Sequence, residues 1–194
     1  MEAYVTKNHT SAHARGVAGV CVAGDNPAKN HEKSMWNNPN YLQLVLRDSE
    51  TKVCQGLVLI HIEEHAGKKI LTASMNPSST YLFSVNEAEM FKALQNQLIV
   101  FAKENNIDAI GVSRNRQIRT NRTGGEFEKA MERAIAACGR EVVFPENRVF
   151  SNFNNYSQKE IDLIWASNPE DFEVAQPLSQ KKQDQQPEPA GDIF

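Results

Sequence analysis

The sequence has no long hydrophobic run, because no apolar stretch approaches the roughly 18 residues that a membrane-spanning helix needs. The amino-terminal segment MEAYVTKNH also lacks the apolar region of a secretory signal peptide. These absences predict a protein that does not enter a membrane and that works in the cytoplasm.

Cysteine is scarce, with Cys21, Cys54 and Cys138 as the three cysteines of 194 residues. An odd number at wide spacing excludes a disulfide framework and favours a reducing compartment. The chain also lacks an excess of basic charge, since 21 basic residues face 24 acidic ones for a net charge of −3. Binding to nucleic acid through bulk charge is therefore not expected.

The clearest pattern lies between Gln55 and Ser113. Alternation, turn residues and helical spacing divide this stretch into a strand at 57–62, a turn at 66–68, a strand at 70–75, a helix at 86–105 and a strand at 107–112. Two competing capping boxes, at Ser84 and at Asn86, begin the helix. A helix of this length between two strands predicts a right-handed parallel crossover.

The rest of the chain predicts one α/β domain at 1–167 and a disordered polar tail at 168–194. The other expected elements are strands at 41–47, 141–144 and 148–153, a helix between a Thr123 capping box and Gly139, and a short final helix at 160–165. Together they predict a mixed sheet of about six or seven strands with helices on both faces.

This order of elements, over 41–153, resembles the GNAT superfamily of N-acyltransferases. The resemblance implies a single mixed twisted sheet flanked by helices, with acetyl-CoA or another acyl-CoA held where the fourth and fifth strands separate. ILTASMNP resembles the fourth strand, and 78–86 takes the place of the pyrophosphate loop. The cofactor-binding residues implied are Ser74, Met75, Asn76, Ser78, Ser79, Thr80, Arg119, Asn121 and Arg122.

The resemblance also implies an acceptor, either a small-molecule amine or a protein amine, whose proton passes to a carboxylate on one of these strands. Glu63 and Glu64 stand at the end of a predicted strand, and Glu63 shares a face with His61. Tyr81 is placed to act as general acid toward the leaving thiolate. A metal site is not expected, because these residues and His65 lack the helical spacing of a zinc protease motif. The alternative is an ordinary polar strand end.

Four arginines follow the strand at 107–112, namely Arg114, Arg116, Arg119 and Arg122. Guanidinium groups bind phosphate oxygens in pairs, so the set is a candidate anion site. Arg122, nearest the Thr123 cap, is expected to matter most. The alternative is a solvated basic loop paired with surface acids such as Glu126.

Two other functions stay open. The segment between Pro77 and Met90 contains no glycine, although glycine lets backbone amides approach phosphates closely. A non-catalytic GNAT-fold module that binds a protein partner through its cleft or the 25–40 loop is therefore a second hypothesis. A Cys-His hydrolase or transferase built on Cys21 is the third, although Val20–Cys21–Val22 also fits a buried strand.

Overall fold

The computed structural model describes residues 2–7, 38–77, 85–144 and 160–175. These residues form one mixed sheet of eight strands in the order β1-β2-β3-β4-β5-β7-β6-β8. The strands are β1 (Glu2–Thr6), β2 (Tyr41–Arg47), β3 (Cys54–His65), β4 (Lys68–Pro77), β5 (Ala109–Ser113), β6 (Arg140–Val143), β7 (Glu160–Ala166) and β8 (Glu173–Val174). The helices are α1 (Glu87–Glu104), the single turn α2 (Arg116–Arg119) and α3 (Glu126–Cys138), with a 3-10 turn at Pro169–Asp171.

Strands β1 to β4 form an antiparallel meander, in which Tyr41 lies opposite His61 and His61 opposite Thr72. The turn between β3 and β4 falls where the sequence predicts it. Ala66 and Gly67 both have positive φ, 51° and 73°, which matches the right-handed twist of the flanking strands.

Strands β4 and β5 are parallel, and α1 connects them as a crossover, as the sequence predicts. Of the two candidate caps, Asn86 is the one the structure assigns, because its Oδ1 accepts from Ala88 N at 2.9 Å and Glu89 N at 3.2 Å. The helix ends at Glu104, with Asn105 as its C-cap. The predicted α/β fold class, with one mixed sheet and packed helices, is confirmed.

The two faces of the sheet differ. Helices α1 and α3 pack on one face, where Phe91, Leu98 and Phe127 meet apolar side chains of β2 to β5. A second apolar cluster lies on the opposite face at the β5–β7–β6 end, and it includes Ile70, Ala109, Val142, Phe144, Ile161, Leu163 and Phe172. The sequence predicts helices on both faces, whereas within the described ranges both long helices lie on the first.

Residues 160–165, predicted as a short helix, belong to β7. Ile161 and Leu163 join the second cluster, while Ile164 joins the core beneath the helices. The sequence of a central strand that is buried on both faces is a nearly continuous apolar run. Ile161 and Ile164 therefore have a spacing that fits either a helix or a strand, and only the neighbours β5 and β6 decide between them.

The predicted Thr123 capping box is also wrong. The N-cap of α3 is Gly125, whose position carries no side-chain cap. Glu87, at the start of α1, replaces that cap, because its Oε2 accepts a hydrogen bond from Phe127 N at 2.9 Å. Gly139 ends α3 with φ 62°, as predicted.

The sheet extends past the boundary expected at 168. Residues up to Ala175 add the 3-10 turn and β8, which pairs with β6, and Phe172 is buried in the second cluster. The strand predicted at 148–153 and residues 176–194 lie outside the described residues. Among the described helices, none is both long and apolar enough to cross a bilayer.

Candidate functional site

A group of polar side chains is buried on the sheet face opposite α1 and α3. Strand register places them on neighbouring strands of this face, and each is at most 7% exposed. We call this group the polar face, and it consists of Gln43, His61, Thr72, Ser74, Asn76 and Ser113. Burying polar groups costs free energy unless they are hydrogen-bonded, and for this reason the polar face is the candidate functional site among the described residues.

His61 has a defined orientation on the polar face. Its Nε2 lies 3.2 Å from Asn38 Nδ2, and its Nδ1 lies 3.2 Å from Glu63 Oε2. Asn38 Oδ1 accepts from Asn40 N at 2.9 Å, which fixes the amide so that its nitrogen faces the imidazole. Because an amide nitrogen only donates, Nε2 is the acceptor from Asn38, and Nδ1 is the ring nitrogen that faces Glu63.

The two carboxylates that the sequence predicts as bases occupy different positions. Glu63 is partly buried beside His61, whereas Glu64 is exposed on the other side of the strand, opposite Lys69 in the ladder. A base that acts on the polar face can therefore be Glu63 together with His61. Tyr81, the predicted general acid, lies outside the described residues.

The carboxyl end of β4 carries two residues of the polar face. Asn76 Nδ2 donates to Ser74 O at 3.1 Å and lies 3.2 Å from Ser74 Oγ, so the two side chains form one unit. Met75 points the other way, into the core under the helices, so only its backbone is available to a ligand. Of the predicted cofactor residues, Ser78, Ser79 and Thr80 lie outside the described residues.

Strands β4 and β5 stay paired from Ile70 and Ala109 up to Ala73 and Val112. Beyond that point β4 continues to Pro77, while β5 ends at Ser113 and the chain turns into α2. The pairing of the two strands therefore ends before β4 does, and a separation of the strands to hold an acyl donor stays a prediction. The edge of β4 beyond this pairing is partly covered again, because Thr120 forms a parallel bridge with Met75.

Arg114 is held by ion pairs with acidic side chains of the neighbouring strands. Its guanidinium makes ion pairs with Glu160 at 2.9 Å, with Asp162 at 2.8 Å and with Glu141. These acids hold its pKa above the ordinary value, against the opposing effect of burial. The group ties the end of β5 to β6 and β7.

Arg116 and Arg119 form a second network with α3. Arg119 is 5% exposed and pairs with Glu128 at 2.6 Å and Glu132 at 2.9 Å, and Arg116 pairs with Glu128 at 2.5 Å. The hydrogen bond from Arg116 is the main cause that lowers the pKa of Glu128 to about 2. A contact of Arg119 with a cofactor phosphate stays a prediction, and it would require Arg119 to exchange these partners.

Arg122 differs from the other three. Its Nε and Nη2 donate to Pro77 O at 3.1 Å and 2.8 Å, and Asn121 Nδ2 lies 3.4 Å from the same oxygen. Burial lowers the pKa of Arg122, and the nearby charge of Glu87 acts in the opposite direction. A guanidinium stays protonated under such conditions, so Arg122 brings a positive charge to the end of β4.

Burial raises the pKa of both described cysteines, Cys54 and Cys138, which favours the thiol over the more reactive thiolate. Cys21, on which the hydrolase hypothesis rests, lies outside the described residues. Within the described ranges no group of three or more His, Cys, Asp or Glu side chains is arranged to hold a metal ion.

Sequence reasoning named Glu63, Ser74 and Asn76, but it missed Gln43 and Ser113 and did not assign His61 a site role. The available signal was a polar residue inside an apolar strand, as in Leu42–Gln43–Leu44. That signal becomes specific only when register shows that several such positions share one face.

No protein-family model matches the sequence, and no curated protein sequence is similar to it. Among solved structures, the fold is similar to that of FeeM, an N-acyl amino acid synthase from uncultured soil microbes. The TM-score is 0.48 and the identity 13%, over 84% of this chain and 93% of that chain. A likeness at this level carries no argument about the function of this chain.

Proposed function

We propose that this chain is an N-acyltransferase that moves an acyl group from a thioester donor, acetyl-CoA or another acyl-CoA, to an amine. The observation that supports the proposal is the end of the β4–β5 pairing at Ala73 and Val112, directly beside the polar face. Ligands in α/β sheets bind outside the carboxyl ends of parallel strands, where neighbouring strands separate. In the GNAT-like order of elements, the acyl donor would lie at this point.

In the proposed reaction the amine nitrogen attacks the thioester carbonyl, the carbon–sulfur bond breaks, and the nitrogen loses a proton. That proton would pass to His61 Nε2, and Glu63 beside Nδ1 would stabilise the imidazolium that forms. The incoming amine would replace Asn38 at Nε2. The thiolate that leaves needs a proton in turn, and Tyr81 is proposed to supply it.

The donor is proposed to bind along the end of β4, against Ser74, the backbone of Met75, and Asn76. The predicted phosphate contacts from Ser78, Ser79, Thr80, Arg119 and Asn121 remain part of this proposal. Because Thr120 already bridges Met75, a donor must approach from the polar face or displace Thr120 from the edge of β4.

The test is release of free thiol from acetyl-CoA and longer acyl-CoAs in the presence of a panel of amino acids, polyamines and a lysine peptide. Glu63→Gln and His61→Asn should each lower kcat by about 100-fold or more, since general base catalysis contributes about that much. Glu50→Gln, in an exposed turn, is the matched control and should change kcat little. Glu64→Gln decides between the two predicted carboxylates, and a large loss in that variant alone would contradict the assignment to Glu63.

The second candidate is a non-catalytic module of the same fold that binds a protein partner. The Thr120–Met75 bridge favours it, because the bridge closes part of the edge against which a donor would lie. The absence of glycine between Pro77 and Met90 favours it as well. Wild-type protein that gives no calorimetric heat with millimolar acetyl-CoA and releases no thiol would contradict the enzyme and leave this candidate.

A further inference from the structure

Three consecutive residues contact the end of β4 at Met75 and Pro77. Thr120 bridges Met75 through the backbone, and Asn121 and Arg122 both lie against the carbonyl of Pro77. Arg122 uses two of its donors on that one oxygen. The guanidinium of Arg122 is therefore hydrogen-bonded to the last residue of β4, and we call this contact the clamp.

The surroundings of Arg122 are poorly suited to an anionic ligand. Glu87 lies close enough for its charge to act on Arg122, and a phosphate at this point would meet that carboxylate. The first amides of α1 are already used, because Asn86 Oδ1 accepts from Ala88 N and Glu89 N. The first turn of α1 also carries a second acid, Glu89.

On one side β3 pairs with β4 up to Gly56 and Pro77, whereas on the other side the pairing with β5 ends at Ala73. Thr120, Asn121 and Arg122 contact the end of β4 on that second side. Proline has no amide hydrogen to donate to a ladder, so backbone hydrogen bonds can hold Pro77 only through its carbonyl. Asn76, on the polar face, directly precedes Pro77, and its side chain is hydrogen-bonded to Ser74. A shift of about 1 Å at a site can cost on the order of 100-fold in rate.

We infer that Arg122 is a positioning residue of the proposed transferase, which holds the end of β4 and with it Ser74 and Asn76, and that it does not bind a phosphate of the donor. The inference rests on the proposed function. It differs from the expectation drawn from the sequence, in which Arg122 binds the anion directly.

The experiment compares two acetyl donors, acetyl-CoA and S-acetyl-N-acetylcysteamine, which has the same thioester and no phosphate. For a positioning residue, Arg122→Ala should lower kcat by about 10-fold or more with both donors and by the same factor within about 3-fold, because a hydrogen bond from a charged donor is lost. Arg122→Lys, which can still place one donor on Pro77 O, should recover part of the loss.

Two matched controls remove an arginine elsewhere. Arg133→Ala removes the same charge from an exposed position on α3, and Arg140→Ala removes a partly buried guanidinium that donates to the backbone carbonyl of Phe172 at the far edge of the sheet. Both should keep kcat within about 3-fold of wild type. A melting temperature is measured for each variant, so that a general loss of stability is recognised.

A loss confined to acetyl-CoA would overturn the inference in favour of a phosphate contact, and so would an unchanged kcat. A loss in Arg122→Ala that Arg140→Ala matches at an equal fall in melting temperature would overturn it as a general stability effect. If the wild type turns over neither donor, the proposed function fails. Amide hydrogen exchange then tests separately whether Arg122 holds the end of β4. Faster exchange in Arg122→Ala, limited to peptides that cover the end of β4 and Thr120, supports the clamp, and unchanged exchange overturns it.

Discussion

Glu128 shows how a buried carboxylate stays ionised in this protein. It is 0% exposed, and it accepts hydrogen bonds from Arg116 Nε at 2.8 Å, Arg119 Nη2 at 2.6 Å and Gly124 N at 2.7 Å. Hydrogen bonds to a charged form favour that form, which explains a pKa of about 2. The arginines that looked like an anion site in the sequence are thus partly neutralised by the protein itself.

We expect Glu128→Gln to lower the free energy of unfolding at pH 7 by about 2–3 kcal/mol. Because the folded pKa lies below the ordinary 4.5, this contribution is fully present above pH 4.5 and is lost as the pH falls toward 2. Urea denaturation at several pH values should show the difference between wild type and variant shrinking over that window. A difference that stays constant down to pH 2 would contradict the assignment, and Glu132→Gln, which is half exposed, should cost less than about 1 kcal/mol.

Gly111 is required by packing on the face that holds the polar side chains. A Cβ at this position would lie 2.5 Å from Ile161 Cδ1 and 3.2 Å from Leu163 Cδ2. Gly111→Ala should therefore destabilise the protein by about 1–3 kcal/mol, since extra volume in a packed core forces side chains to move. Ile161→Val removes the nearest atom, so the double variant should lose less than the sum of the two single losses in a thermodynamic cycle. Strict additivity would count against this contact as the cause.

At the scale of elements, α1 is specified locally. Asn86→Ala should lower the free energy of unfolding by about 1 kcal/mol, because two amides in the first turn lose their acceptor. Asn86→Asp keeps an acceptor oxygen and should retain most of the stability. Chemical denaturation of the two variants beside wild type measures both effects, and equal losses in Ala and Asp would argue against capping by this side chain.

The elements that the sequence predicts well are those whose signals are local. The ends of α1, the Ala66–Gly67 turn and the Gly139 cap each depend on a few neighbouring residues. Strand β7 and the cap of α3 depend on partners far along the chain, which periodicity does not show. The composition of the site is likewise set by distant partners. Strand register places Ser74 and Asn76 on the same face as Gln43 and His61, and Thr120, which follows β5 in the chain, pairs with β4.

At the scale of the whole molecule, the segment from Asn168 to Ala175 closes the edge of the sheet. Phe172 is buried in the second apolar cluster, and Arg140 Nη1 donates to its carbonyl at 3.2 Å. Lys68, at the start of β4, pairs with Asp171 at 2.6 Å. This segment thus joins the far edge of the sheet to the β3–β4 turn, although its polar composition predicts that it belongs to the tail.

We therefore expect two truncations to behave differently. A chain that ends at Ala175 should keep its free energy of unfolding within about 0.5 kcal/mol, because the composition of 176–194 predicts no buried surface. A chain that ends at Ser167 loses β8 and Phe172, and Phe172→Ala alone should already cost about 2–4 kcal/mol through the cavity it leaves. Denaturant unfolding of the three proteins measures these losses. Equal stability of the two truncated chains would show that the segment does not stabilise the sheet, whereas a large loss on removing 176–194 would place part of the core there.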